Sequence, residues 1–218
     1  MKNWTFYLDI ISKDIFFPKE RIKTKIQIIN ILLEASRYIL SNPKLKRKSS
    51  SGEIKLVVDK MSRLFFTSDK KSYSIVFPFN LYEHHDEINF SYKSNIKVNP
   101  YLIAQAKSVI NCNSFDDNCI LGFADSLDDI RNQDDDDDLW FFLRELMLYE
   151  DGYIRYDNDP IGYQEAKDRG TPHKHPLNHY DLFYTNGATF KIGLEKGIST
   201  KQFIDLLNRE TNCKYLKN

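Results

Sequence analysis

Residues 173–179 read His-Lys-His-Pro-Leu-Asn-His and hold three of the five histidines in a chain of 218 residues. They lie just downstream of Arg155-Tyr-Asp-Asn-Asp-Pro160. Cleaving a phosphodiester needs a base, an acid for the leaving oxygen, and a cation for the charge that develops on phosphate. His175 and His179 suit the first two tasks because imidazole titrates near neutrality, and Arg155 suits the third. Asp159 would then orient a histidine, while His173, Lys174 and Asp157 would contact substrate, and Asp181 completes the supply of carboxylates.

Two other readings use the same residues. The histidines with Asp157 or Asp159 offer the three or four N/O ligands that a metal ion requires. His175 precedes Pro176, however, which disfavours helical geometry at His175, and no Glu follows it as in H-E-x-x-H. A divalent metal is therefore not favoured, and no cofactor is expected. In the structural reading, Pro160, Pro172 and Pro176 shape a loop whose histidines and aspartates bond to the backbone or to one another.

The elements that must position these groups are two strands, 152–157 and the first arm of a hairpin over 179–194. Asn186-Gly187 suits a two-residue hairpin turn. The connection from Asn158 to Asn178 is long for a compact domain, which by itself points to function or mobility. If it is extended, alternate side chains share a side: His173 with His175, and Arg155 with Asp157 and Asp159.

Upstream, apolar runs predict strands over 54–60, 72–79 and 87–92, with a fourth over 63–68. Ile22, Ile26, Ile29 and Leu33 recur at helical spacing and predict a helix over 21–40. Asn99-Pro100 is a cap followed by a first-turn proline, which starts a helix over 99–111. The five aspartates 134–138 read as the solvated start of a helix over 137–149, with Trp140, Leu143 and Met147 facing the core. Ser199 with Gln202 forms a capping-box pattern for a helix over 200–208, which packs through Phe203, Leu206 and Leu207. The predicted fold is one α+β domain over 1–218, an antiparallel sheet of about five to seven strands packed by about four helices, with 137–218 carrying the motif.

Composition excludes several classes. With 41% hydrophobic and 14% aromatic residues the chain can bury a core, so it is not a disordered tail. Lys plus Arg and Asp plus Glu both number 31, so no global charge steers it toward an anionic partner. The stretch 43–55 is basic and 125–140 acidic, and each reads best as a solvated segment. His84 and His85 read as a surface turn. Cys112, Cys119 and Cys213 form no C-x-x-C pair, and their odd number suits reduced thiols. Charges interrupt the apolar residues of the N-terminus and no run approaches a membrane span, so the expected location is the cytoplasm. No Gly-rich phosphate loop or G-x-S-x-G elbow is present.

The stretch from "RYDNDP" to "HPLNHYDL" resembles a bacterial domain family of unknown function whose pattern is Arg-x-Asp-x-Asp-Pro followed by His-Pro-x-x-His, a hairpin and a closing helix. Arg155, Asp157, Asp159, Pro160, His175, Pro176 and His179 match it, over the last third of the chain. "YDNDP" and "PHKH" are also similar to toxin-like proteins encoded beside antitoxins. The resemblance implies a bacterial intracellular setting in phage defence or toxin–antitoxin biology. The expected function is a metal-independent, RNase-like phosphodiesterase acting on nucleic acid, RNA above DNA because a neighbouring 2′-hydroxyl can be the nucleophile. The alternative is a non-catalytic accessory subunit that binds a larger effector protein.

Overall fold

A computed structural model describes residues 2–215 except 42, 44, 48, 49, 59, 60, 70, 86, 94, 95, 117, 118, 120 and 131–136. The chain folds as two compact units and passes between them at 21/22, 44/45, 76/77 and 151/152. Much of the aspartate run 134–138 lies outside the described residues. The class is α+β, every strand pairing is antiparallel, and the larger sheet has seven strands.

The first unit contains β1 (Lys2–Leu8), α1 (Ile10–Phe16), β2 (Gly52–Val58), β3 (Arg63–Thr67) and β4 (Lys71–Val76). Its C-terminal part adds β8 (Ile154–Asn158), α6 (Pro160–Asp168), β9 (Asn178–Leu182), β10 (Phe190–Leu194) and α7 (Thr200–Leu207). The strand order is β1-β2-β3-β4-β8-β9-β10. Because alternate residues point to opposite faces, the register sorts the side chains cleanly. One face carries Val57, Phe65, Ile154 and Tyr156 against Phe203 and Ile204 of α7. Ser199 caps α7 as its spacing predicts, in a reciprocal box with Gln202.

On the other face, successive cross-strand partners form one row: Phe6, Ile54, Phe66, Tyr73, Arg155, Asp181 and Lys191. The row is apolar over β1 to β4 and charged over β8 to β10. Tyr73 stacks on Phe66 with centroids 4.5 Å apart and donates its hydroxyl to the Phe16 carbonyl of α1 at 2.6 Å, so the row's aromatic half is sealed.

The second unit holds α2 (Lys25–Leu40), β5 (Asn80–His84), β6 (Glu87–Tyr92), β7 (Ile96–Val98), α3 (Pro100–Ile110), α4 (Ala124–Ile130) and α5 (Asp138–Leu148). α2 starts later than the apolar spacing suggests because Thr24 and Gln27 form a capping box there, leaving the buried Ile22 outside the helix. Asn99 caps α3 through the Leu102 amide, as expected. α5 buries Leu139, Phe142, Leu143 and Leu146, so its core stripe is turned from the expected one and Trp140 and Met147 are only partly covered. Trp140 lies instead against the Phe123 ring and the Arg144 guanidinium.

Helices outnumber the expected four: α1, α4 and α6 join them. Asn186-Gly187 do sit at the centre of a turn, but it is not the expected two-residue hairpin turn. Pairing ends at Leu182 with Phe190, and residues 183–189 form a wider loop in which the Thr185 carbonyl accepts from the amides of Ala188 and Thr189. Phe183, rather than Asn186 or Gly187, takes the left-handed backbone, with φ 62.

Candidate functional site

The stretch expected to be an extended loop is not extended. Asp159 accepts from the Gly162 amide at 2.9 Å and Pro160 follows it, so the chain turns into α6 at once. A single 3-10 turn, Pro172–Lys174, then leads to His175, whose φ of −142 and ψ of 78 lie outside the helical region that a residue before proline avoids. His173 and His175 therefore do not project together: His173 and Lys174 are exposed, and His175 turns inward to Asp159. Asp159 likewise leaves the side it would have shared with Arg155 and Asp157, because it caps a helix instead of extending the strand.

His175 Nε2 lies 2.9 Å from Asp159 Oδ2, and both side chains keep partial exposure, 28% and 39%. Gly162 makes this pair fit, since a Cβ there would stand 2.5 Å from His175 Nε2. Burial would raise the Asp159 carboxyl, but the Gly162 amide and His175 outweigh it and hold it below the usual carboxylate value.

The second cluster stands on three adjacent strands. Asp157 of β8 faces His179 of β9 across the ladder, and Arg155 faces Asp181, which faces Lys191 of β10. Arg155 Nε donates to Asp157 Oδ2 at 2.8 Å, and its Nη2 bonds Asp181 Oδ2 as well. Lys191 Nζ reaches Asp181 Oδ1 at 2.9 Å and His179 Nε2 at 2.7 Å. His179 has no exposed surface. Its Nδ1 lies 2.7 Å from the Pro176 carbonyl, which can only accept, so Nδ1 carries the proton and Nε2 presents its lone pair to Lys191. Gly193, opposite His179 on β10, leaves room for Pro176: a Cβ would come 2.9 Å from Pro176 Cγ.

The electrostatics follow from this geometry. Burial pushes the His179 imidazole below its ordinary value, and the Lys191 charge adds to that, against the opposing pull of the Pro176 carbonyl and the two aspartates. Burial alone would raise Asp181, yet Lys191 and Arg155 hold it low. Burial would weaken protonation of Arg155, but Tyr153, Asp157 and Asp181 reverse this and raise its pKa. Two cations thus face two carboxylates around a neutral imidazole, and the formal charges cancel.

The sequence-predicted residues divide accordingly. His175 and Asp159 form one pair at the mouth of α6, and Arg155, Asp157 and His179 belong to the buried cluster. The two meet where the His175 and His179 rings stand edge to face with centroids 5.0 Å apart. His173 and Lys174 lie outside both as exposed residues. Lys191 was not expected. Its only sequence signal is the alternation of the strand "TFKIGL", which gives a face but not a partner.

Other expectations are simpler. Cys112, Cys119 and Cys213 are free thiols. His84 ends β5, paired with Glu87, and His85 alone lies in the turn that follows, at φ 50. Among the described residues no helix is long and apolar enough to cross a membrane. Comparison of the chain with protein-family models, with curated proteins and with solved structures gave no match.

Proposed function

We propose that this protein is a non-catalytic binding subunit that docks on a larger effector protein, in the bacterial defence or toxin–antitoxin setting that its C-terminal motif suggests. One observation carries the reading: His179 is wholly buried with both ring nitrogens engaged. An acid–base pair must touch the atoms whose protons it moves, and the Pro176 carbonyl and the Lys191 ammonium already occupy the two nitrogens of His179. Arg155 is similarly committed to two carboxylates, which leaves little of its charge for phosphate. The cluster acts as an internal clasp that fixes α6 and the histidine turn. On that excursion Ile161 is 70% exposed and Leu177 38%, with the exposed His173 and Lys174 between them in sequence, a mixed apolar and cationic surface of the kind partners cover. The test is co-purification with the proteins encoded beside this one. The variant I161S/L177S/K174A should lose the partner while its melting temperature stays within a few degrees of wild type. Retained binding refutes the docking surface.

A second reading keeps the RNase-like activity but moves it. The partly exposed His175–Asp159 pair is a histidine oriented by a carboxylate at a helix start, where negative charge is favoured. Cleavage of RNA in the presence of chelator that is lost in His175→Ala, at unchanged folding, would establish this reading and displace the first.

A further inference from the structure

We propose that Asp157, His179 and Asp181 form a binding site for a first-row divalent cation, Mn²⁺ or Zn²⁺, for which Lys191 competes. Three observations converge. Each of the three side chains offers a ligand atom, and these atoms lie within 4.8 Å of one another. His179 Nε2 is 3.8 Å from Asp157 Oδ2 and 3.8 Å from Asp181 Oδ2. Ions of this class bind N and O at about 2.0–2.2 Å, so two donors up to about 4.4 Å apart can share one ion. Both His179 pairs fall within that reach.

The second observation is the tautomer. A metal-binding histidine characteristically gives its other N–H to a carbonyl or carboxylate, which fixes the ring and aims the free lone pair. The Pro176 carbonyl does this for His179, and Nε2 faces the two aspartates. The third is an unsatisfied acceptor: Asp157 is 8% exposed, and its Oδ1 is buried with no hydrogen-bond partner. A buried carboxylate oxygen without a proton donor is costly, and a cation removes that cost. One imidazole with two carboxylates suits Mn²⁺ or Zn²⁺ better than Ca²⁺ or Mg²⁺, which prefer oxygen alone.

Lys191 is the counter-argument and the control. Its ammonium already bonds His179 Nε2 and Asp181 Oδ1, so it and the ion need the same lone pairs. Its side chain is 27% exposed, the most open of the salt-bridged cluster members, so it can swing outward as the ion enters. The site is thus an exchange of one ammonium for one divalent ion.

The test uses full-length protein stripped with chelator and dialysed. Mn²⁺ titration followed by loss of the free-ion electron paramagnetic signal should give one site per chain. Co²⁺ should give visible d–d bands that shift in His179→Gln, a readout independent of any activity. Lys191→Met should bind Mn²⁺ about tenfold tighter, since a like charge beside the ion is gone. Asp157→Asn, which keeps the side-chain shape, should bind at least about tenfold more weakly. Far-ultraviolet circular dichroism identifies any variant that fails to fold, and Asp157→Asn serves where His179→Gln does. No one-to-one binding by folded wild type overturns the proposal, and so does binding by Lys191→Met alone, which would make Lys191 the permanent cation. Wild-type binding that survives both Asp157→Asn and His179→Gln places the ion elsewhere and overturns it as well.

Discussion

Arg155→Met isolates the energetics of the buried cluster. The guanidinium is 13% exposed and serves Asp157 and Asp181, whose side chains are 11% and 3% exposed. Methionine replaces the aliphatic stem, so the change removes charge and donors more than volume. Asp181 keeps Lys191, but Asp157 loses the only hydrogen-bonded cation it has among the described residues. Leaving one carboxylate buried and unpaired costs about 3–5 kcal/mol. The remaining exposure lets water offset part of this, so about 3 kcal/mol is expected. Adding Asp157→Asn removes the orphaned charge and should recover roughly half of that, a coupling of the size found for residues in one network. Urea unfolding reads both. Trp4 lies in the unit that carries the cluster and Trp140 in the other, so Trp140→Phe leaves a fluorophore that reports the relevant unit alone. A loss below about 1 kcal/mol for Arg155→Met, or no recovery on adding Asp157→Asn, would refute the view that the charges form one coupled clasp.

Three further outcomes follow from the same geometry. Gly162→Ala places a Cβ 2.5 Å from His175 Nε2 and 2.6 Å from Asp159 Oδ2. The pair must part, costing about 1–3 kcal/mol and moving the His175 ring resonances in NMR; unchanged resonances would show that the pair is not held there. His179 has a folded pKa below its unfolded value, so between those two values the unfolded chain binds more protons and stability falls as pH drops below about 6.5. The slope is at most about 1.4 kcal/mol per pH unit, and His179→Gln should abolish that component while leaving the separate loss near pH 4 and below that comes from the depressed Asp159 and Asp181; a slope that persists in His179→Gln assigns it to another group. Ser199→Ala removes the side-chain half of the α7 capping box and should cost about 1 kcal/mol by urea unfolding, with no change in metal or partner binding.

Helix starts were legible where a cap and an apolar stripe coincide, as at Asn99-Pro100 and Ser199-Gln202. Asp159-Pro160 carries the same cap signal, yet α6 has no periodic signal to go with it, because "PIGYQEAKD" has no stripe and buries only Ala166. α1 has the same defect: Ile10, Ile11 and Ile15 stay exposed, and Phe16 alone is buried. A helix held by its ends and by its neighbours leaves little periodicity to read. The site was half legible. Spacing placed Arg155 with Asp157 on one side of a strand, and the ladder then supplied what spacing cannot, the registers that set Asp157 against His179 and Asp181 against Lys191. Sequence proximity also misled in part, because it grouped His173 with His175 and His179, while the 3-10 turn leaves His173 exposed and only the other two rings meet.

Why the chain keeps four charges on that face is a question of register as much as of stability. Apolar residues of equal volume often match or exceed a buried ion network in stability. On β8 and β9, however, Ile154, Tyr156, Tyr180 and Leu182 line the opposite face against α7, so a strand apolar on both faces could slip by one residue without exposing anything. The charges forbid the slip, since it would turn Arg155, Asp157 and Asp181 into the apolar layer. A variant carrying Arg155→Met, Asp157→Leu, Asp181→Leu and Lys191→Met should therefore stay folded, with stability within about 2 kcal/mol of wild type, but show doubled or broadened amide resonances along β8 to β10. Sharp single resonances in that variant would mean that packing alone fixes the register, and the ligand chemistry of the cluster would then be the better reason for its charges.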